Sequence, residues 1–333
     1  MAQRELVLAG DIGGTKTNLA LFSVHSEKLR VESMHTFASK RYSGLLPVLQ
    51  DFLGSEQHKI DFACFGIAGP VVDGKAKTPN LPWMVDSLEL RRALQIELVA
   101  LLNDLEAGAY GIFTLDKDEF FTLNEGTMHE SGSKALIAAG TGLGQAILYN
   151  EGRHFHPLAS EGGHADFAPR NELEIELLRY LLGRFGHVSY ERVLSGPGLF
   201  NIYRFFKESR GLEEPQWLTD RFAAGDDAGA VVSKAALANE ADICVKSLEL
   251  FVSIYGAEAG NLALRAKSLR GLYVGGGIAP KILERLKDGT FMRAFVDKGR
   301  YKDLLAAIPV QVVLNEQAAL RGAAYYAAYI GEG

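Results

Sequence analysis

Cysteine is nearly absent: Cys64 and Cys244 are the only two in 333 residues. Each stands alone among apolar neighbours, so they read as reduced core thiols of a cytoplasmic protein rather than a disulfide scaffold. No apolar run reaches the roughly 20 residues that span a bilayer. The polar start Met1–Glu5 leads straight into an apolar segment, so no secretory leader is expected. Basic runs and basic-aromatic interleaving are missing too, and the formal charge is −6. That argues against a nucleic-acid-binding surface. Low-complexity segments are lacking. What remains is 47% hydrophobic, enough for two domains with full cores.

The first apolar run breaks at LVLAGDIGGTKTNLALF, residues 6–22. A Walker A loop is a glycine, four residues, then Gly-Lys-Ser/Thr opening a helix. Here Gly10 and four residues lead to Thr15-Lys16-Thr17, without the glycine before the lysine. Asn18–Val24 is a strand pattern, too short for a helix. The expectation is therefore strand, glycine turn, strand, with the amides of Gly13, Gly14 and Thr15 facing an anion. Asp11 stands at the strand end, where a carboxylate could hold hydrated Mg²⁺ through water. An ordinary Gly-Gly hairpin fits this segment equally well.

Strands are expected over 6–9, 19–24, 30–37, 62–67 and a buried 97–102. Helices are expected over 45–53, over 87–95 with Ser87 as N-cap, and from about Leu105. The second half repeats the order: a strand at 134–139, a second glycine turn Gly140-Thr141-Gly142-Leu143-Gly144, and strands at 145–149 and 154–158. Helices follow over 172–182 and 198–207, and more than one within 231–267. A strand over 271–274 ends in Gly275-Gly276-Gly277. A helix over 280–286, a strand over 310–314 and a helix over 317–329 complete the chain. A dinucleotide fingerprint would need G-x-G-x-x-G opening a helix. Position 145 is glutamine and a strand follows. Two glycine hairpins in corresponding halves point instead to one nucleotide phosphate chain clamped between them.

DIGGTKTNLAL, LLND, AAGTGLGQA, EGGHADFAP, ERVLSGPGL and YVGGGI, in this order and spacing from Leu6 to about Gly333, resemble the bacterial glucokinases of the enteric, zinc-free type. TPNLPW at 78–83 looks more like the repressor/ORF/kinase (ROK) sugar kinases. The resemblance implies an α/β fold of two ribonuclease H-like (actin-like ATPase) domains with an interdomain cleft. The smaller would be 1–114 with 316–333, the larger 115–315. It also implies a cytoplasmic homodimer that transfers the γ-phosphoryl group of ATP to the 6-hydroxyl of D-glucose with Mg²⁺. Carried over residue by residue, the base is Asp104. The sugar is held by Asn103, Asp104, Glu161, His164 and Glu191. The phosphates are held by Gly10, Asp11, Ile12, Gly13, Gly14 and Thr15 and by Gly140, Thr141 and Gly142, with the adenosine near Gly275, Gly276 and Gly277. No direct metal ligand is implied.

The chemistry of these residues can be weighed separately. A primary alcohol needs somewhere to send its proton, and general-base help is worth ~10²–10⁴ in rate. Asp104 follows a strand end, where open α/β sheets bind ligands. It also suits the cap of the next helix, and both roles can hold. Two glycines in Glu161-Gly162-Gly163-His164 argue for a close approach. Glu191 alone reads as a surface charge or a cap. ROK relatives use a histidine at this place with a cysteine cluster to hold zinc. Cys64 and Cys244 cannot supply that set, so His164 is read as a sugar contact. His154, His156 and His187 read as structural or surface residues. Thr15 and Thr141 offer hydroxyls to the phosphates, where positioning and charge neutralisation dominate. Closure of the halves would keep water from accepting the phosphoryl group. The rival functions are a broader hexose or N-acetylhexosamine kinase of the ROK group and a non-catalytic sugar-binding regulator. The regulator would want a DNA-binding module, and none is expected before the first hairpin. An actin-like or chaperone ATPase would need larger insertions.

Overall fold

A computed structural model of the chain describes residues 5–25, 28–54, 59–78, 81–127, 129–152 and 155–329. Residues 1–4 of the polar start, Pro79 and Asn80 of the TPNLPW segment, and His154 lie outside them.

The first apolar run folds back on itself. β1 (Glu5–Ile12) and β2 (Lys16–His25) form an antiparallel hairpin in which Asp11 faces Asn18 and Ile12 faces Thr17. β3 (Lys28–Ala38) extends it. After α1 (Leu45–Leu53), β4 (Phe62–Ile67) returns parallel to β1. A small sheet of β5 (Val71–Val72), β6 (Lys75–Lys77) and β7 (Met84–Asp86) intervenes before α2 (Ser87–Leu94). Then β8 (Leu98–Asn103) pairs parallel with β4 and leads into α3 (Asp104–Gly111). The resulting order is β3-β2-β1-β4-β8.

The second half builds β9 (Phe120–Asn124), β10 (Lys134–Ala139), β11 (Leu143–Asn150) and β12 (Phe155–Ser160). Five helices follow: α4 (Glu172–Phe185), α5 (Gly196–Glu208), α6 (Gln216–Ala223), α7 (Ala228–Leu237) and α8 (Asp242–Ala266). β13 (Leu272–Gly275), α9 (Leu283–Leu286), α10 (Thr290–Val296), α11 (Lys302–Ala306), β14 (Val310–Val313) and α12 (Ala318–Tyr329) complete the description. This sheet runs β12-β11-β10-β13-β14-β9. Five of its strands repeat the first order, with a hairpin β10–β11 and β13 and β14 parallel beside β10; β9 adds an antiparallel edge. Two such sheets in one chain are the expected ribonuclease H-like pattern.

Side chains of β1 alternate between the faces of its sheet. Leu8 and Ile12 join Val48, Leu49, Phe65 and Trp83 on one side. Val7 and Ala9 join Cys64, Ala107, Leu320, Ala323 and Ala324 on the other. Small residues dominate the second face, and α3 and α12 pack there backbone to backbone. A Cβ on Gly322 would lie 1.8 Å from the Ala107 oxygen, and one on Gly111 would lie 1.9 Å from that of Ala318. The second core is aromatic and gathers around α8, with Phe251, Tyr255, Phe291 and Phe295 fully buried. Burial pushes both cysteine thiols up, Cys244 to about 12, so they pack as apolar residues.

The chain divides into two compact units: Met1–Lys117 with Phe155–Ala159 and Asn315–Gly333, and Asp118–His154 with Ser160–Leu314. Among the described residues, no helix is long and apolar enough to cross a membrane.

Three local expectations change. The N-cap of α2 is Asp86, whose Oδ1 accepts the Leu88 amide 2.9 Å away, and Ser87 is the first helical residue. β8 is an edge strand, buried only at Leu101 and Leu102. The segment 280–286 opens as a 3₁₀ turn, Ala279–Ile282, before α9.

Candidate active site

In the first unit, the turn between β1 and β2 closes when the Gly13 amide donates to the Lys16 oxygen at 2.9 Å. That amide is therefore occupied. Of the three expected to face an anion, Gly14 and Thr15 are left. Gly10 and Ile12 belong to the sheet interior; a Cβ on Gly10 would meet the Phe65 ring at 2.6 Å. Asp11 is half-buried and accepts from Asn18 Nδ2 at 3.3 Å. Burial pushes its carboxyl above the usual range, against the smaller pull of the Asn18 bond.

Ser39, which no motif singles out, braces the turn. Its Oγ donates to the Gly13 oxygen at 2.8 Å, its amide donates to the Thr15 oxygen at 3.0 Å, and Thr17 Oγ1 lies 3.0 Å from the same Oγ. Ser39 is fully buried. Ser39→Ala leaves the half-buried Gly13 carbonyl and the buried Thr17 hydroxyl short of a partner, at a cost of about 1–3 kcal/mol. The expected result in calorimetry is a thermal midpoint lowered by roughly 2–8 °C.

Asn103 is the N-cap of α3. Its Oδ1 accepts the Leu105 amide at 3.0 Å, Glu106 returns a bond to the Asn103 amide at 3.0 Å, and Nδ2 donates to the Gly69 oxygen at 2.9 Å. The cap considered for Asp104 thus belongs to its neighbour, which keeps one amide hydrogen and one lone pair for a ligand. Asp104 opens the helix with its side chain exposed and one oxygen 2.9 Å from the Leu105 amide.

In the second unit the predicted residues gather around the start of β11. The turn Gly140–Gly142 is closed by the Gly140 amide donating to the Gly142 oxygen at 2.8 Å. Its Gly140 oxygen accepts the Gly196 amide, also at 2.8 Å, where α5 begins. Thr141 is exposed. Glu191 is neither a loose surface charge nor a helix cap, for its Oε2 accepts the Leu143 amide at 3.0 Å. The loop carrying Glu161 and His164 lies on the same strand. A Cβ on Gly163 would fall 2.0 Å from the Leu143 oxygen, so only glycine permits that approach. Glu161 and His164 stay exposed, their nearest charged atoms 4.0 Å apart. His187 pairs with Asp166 at 2.7 Å.

The Gly275–Gly277 segment ends β13, beside β10. Gly276 has φ +81°, and a Cβ there would meet the Ala139 oxygen at 2.3 Å. The two glycine segments of this unit are thus neighbours at the carboxyl ends of adjacent parallel strands, the place where open α/β sheets bind ligands. Tyr255 of α8, missed by sequence reading, fixes that junction by accepting the Ala139 amide at 3.3 Å from a fully buried position.

The glucokinase family profile matches residues 8–330. A glucokinase of Nostoc sp. is 44% identical, covering 97% of this chain and 99% of that protein. A crystal structure of a glucokinase from an Antarctic psychrotroph superposes with a TM-score of 0.85 at 31% identity, covering 97% of this chain and 98% of that one. A ROK family glucokinase from Streptomyces griseus, solved with glucose and AMPPNP, shares the fold at a TM-score of 0.63 and 22% identity, covering 97% and 99%. Profile, sequence and fold agree over nearly the whole length, and the chain belongs to the glucokinase family.

Proposed function

We propose that this chain transfers the γ-phosphoryl group of ATP to the 6-hydroxyl of D-glucose. The observation that carries the reading is the convergence on the start of β11. One residue, Leu143, gives its amide to Glu191 and lies under Gly163 of the Glu161–His164 loop, directly after the Gly140–Gly142 turn. A kinase must hold its acceptor beside the donor's terminal phosphate, and a shared strand end fixes that spacing.

In this reading Asp104 accepts the 6-hydroxyl proton as the oxygen attacks phosphorus, and ADP leaves. Asn103, Asp104, Glu161, His164 and Glu191 orient the sugar. Gly14, Thr15 and Gly140–Gly142 receive the phosphates, and Gly275–Gly277 the adenosine. Asp11 suits a divalent cation through water, since a half-buried carboxylate with raised pKa gains from a nearby positive charge. When bound, Mg²⁺ neutralises charge on the β- and γ-phosphates. Buried, unreactive cysteines favour a cytoplasmic setting. A homodimer belongs to the same proposal and is checked by sedimentation.

The deciding experiment is steady-state phosphorylation of glucose, mannose, fructose, N-acetylglucosamine and N-acetylmannosamine with ATP and Mg²⁺. Turnover on glucose far above the others is the expected result. A preference for an acetylated sugar would overturn it.

Asp11 also gives a pH-dependent prediction. Its pKa is raised on folding, so its contribution favours the fold below the unfolded value and is lost as pH rises through the folded one. Near neutral pH, Asp11→Asn should raise the thermal midpoint of the ligand-free protein, and the gain should vanish as pH falls into the carboxylate range. The same variant should raise the KM for ATP–Mg²⁺ about tenfold. Melting curves across pH and ATP titrations check both halves.

A further inference from the structure

The buried positions of α8 are small or apolar apart from the Ser247 hydroxyl and one carboxylate. Glu258 has no solvent exposure at all. A buried charge is strongly unfavourable unless donors surround it. Three side chains do so: Gln145 Nε2 donates to Oε1 at 2.8 Å, Asn261 Nδ2 donates to Oε2 at 2.9 Å, and the Arg265 guanidinium donates to Oε1. Two arms leave this hub, and each ends at a segment assigned to the sugar.

The first arm is Gln145 of β11. Its carboxamide oxygen takes a bond from Arg265 at 3.3 Å and lies directly against Gly162, where a Cβ would come within 2.6 Å. Its backbone oxygen accepts the Ser160 hydroxyl at 2.9 Å, and that hydroxyl accepts the Gly162 amide at 3.3 Å. The floor of the Glu161–His164 loop is therefore set by where Gln145 is held. The second arm is Asn261, which gives its other amide hydrogen to the Tyr190 hydroxyl at 3.0 Å. Tyr190 is buried and immediately precedes Glu191. Burial, and secondarily the Glu258 charge, pushes its phenol well above the usual range, so it stays a neutral hydrogen-bonding group.

We propose that Glu258 is a positioning residue for sugar recognition, holding the Glu161–His164 loop through Gln145 and Glu191 through Asn261 and Tyr190. This rests on the reading of Glu161, His164 and Glu191 as sugar contacts. A hub serving only the core would affect stability without regard to substrate. A positioning hub weakens one substrate selectively.

The test compares Glu258→Gln and Tyr190→Phe with the parent chain, measuring KM for glucose, KM for ATP, kcat and the thermal midpoint. Glu258→Gln keeps the shape but turns an amide group toward donors. It is expected to raise the KM for glucose about tenfold or more while the KM for ATP moves about twofold or less. Tyr190→Phe removes one hydroxyl and should shift the KM for glucose in the same direction by a smaller factor. It carries the test if Glu258→Gln does not fold. A lowered midpoint with both KM values unchanged would overturn the proposal. Glu161→Gln and Glu191→Gln are measured alongside. If they leave the KM for glucose unchanged, the sugar-contact reading fails and takes this inference with it. If they raise it while Glu258→Gln and Tyr190→Phe do not, the inference alone fails.

Discussion

Asp104→Ala is expected to lower kcat for glucose phosphorylation by roughly 10²–10⁴, the usual worth of a general base. Glucose affinity should fall by no more than about tenfold, as one lost hydrogen bond allows. The structure makes this a clean experiment. Helix α3 is capped by Asn103 and by the reciprocal bond from Glu106, and neither is touched. The Leu105 amide that contacts Asp104 also reaches Asn103 Oδ1. The cap of α3 should therefore survive the substitution, and calorimetric titration with glucose reports binding without turnover. Asp104→Asn sharpens the result, since it keeps the shape and loses the basicity. If kcat falls by less than about tenfold in both variants, Asp104 is not the base.

The second large effect is on stability. Gly322→Ala places a methyl group 1.8 Å from the Ala107 oxygen, and a main-chain carbonyl in a helix cannot swing aside. The helices must separate, loosening Leu320, Ala323, Ala324 and Ala327 from Val7, Ala9 and Cys64. Overpacking of a tight core costs about 1–3 kcal/mol and sometimes more. A backbone clash belongs at the upper end. For a unit of this size that lowers the thermal midpoint by roughly 10 °C. Calorimetry of Gly322→Ala measures it. A shift of less than about 2 °C would mean that α12 does not pack on α3 as described.

Much of this architecture is legible in the sequence, for reasons visible residue by residue. β4 reads as a strand because FACFGI is apolar throughout and buried, and turn residues bound it. α1 reads as a helix because its apolar residues fall on one face. Short elements escape: β5, β6 and β7 are two or three residues each, too few to show a period. Caps are ambiguous where two cap formers adjoin. Asp86-Ser87 and Asn103-Asp104 each offer two candidates, and in both the first one caps. For α3 the signal was present, since Asn103 and Glu106 have capping-box spacing.

The candidate segments were conspicuous in the sequence because glycine and carboxylate cluster in them. Their supports were not. Ser39 acts on a carbonyl 26 positions away, Glu258 on a side chain 113 away and Tyr255 on an amide 116 away. Only folding sets such pairings, and nothing in the local pattern around Ser39 or Glu258 announces them.

The place of α12 has a consequence for biosynthesis. The sheet of the first unit emerges early from the ribosome, yet one of its faces is covered by residues 318–329. Chains usually fold their N-terminal unit first, at about 5–20 residues per second of synthesis. Here the unit begun first cannot be finished until more than 200 further residues have been made. That is a wait of roughly 10–40 s with Val7, Ala9 and Cys64 only partly covered. A premature stop before α12 thus spares most of the second unit and leaves the first without one side of its core.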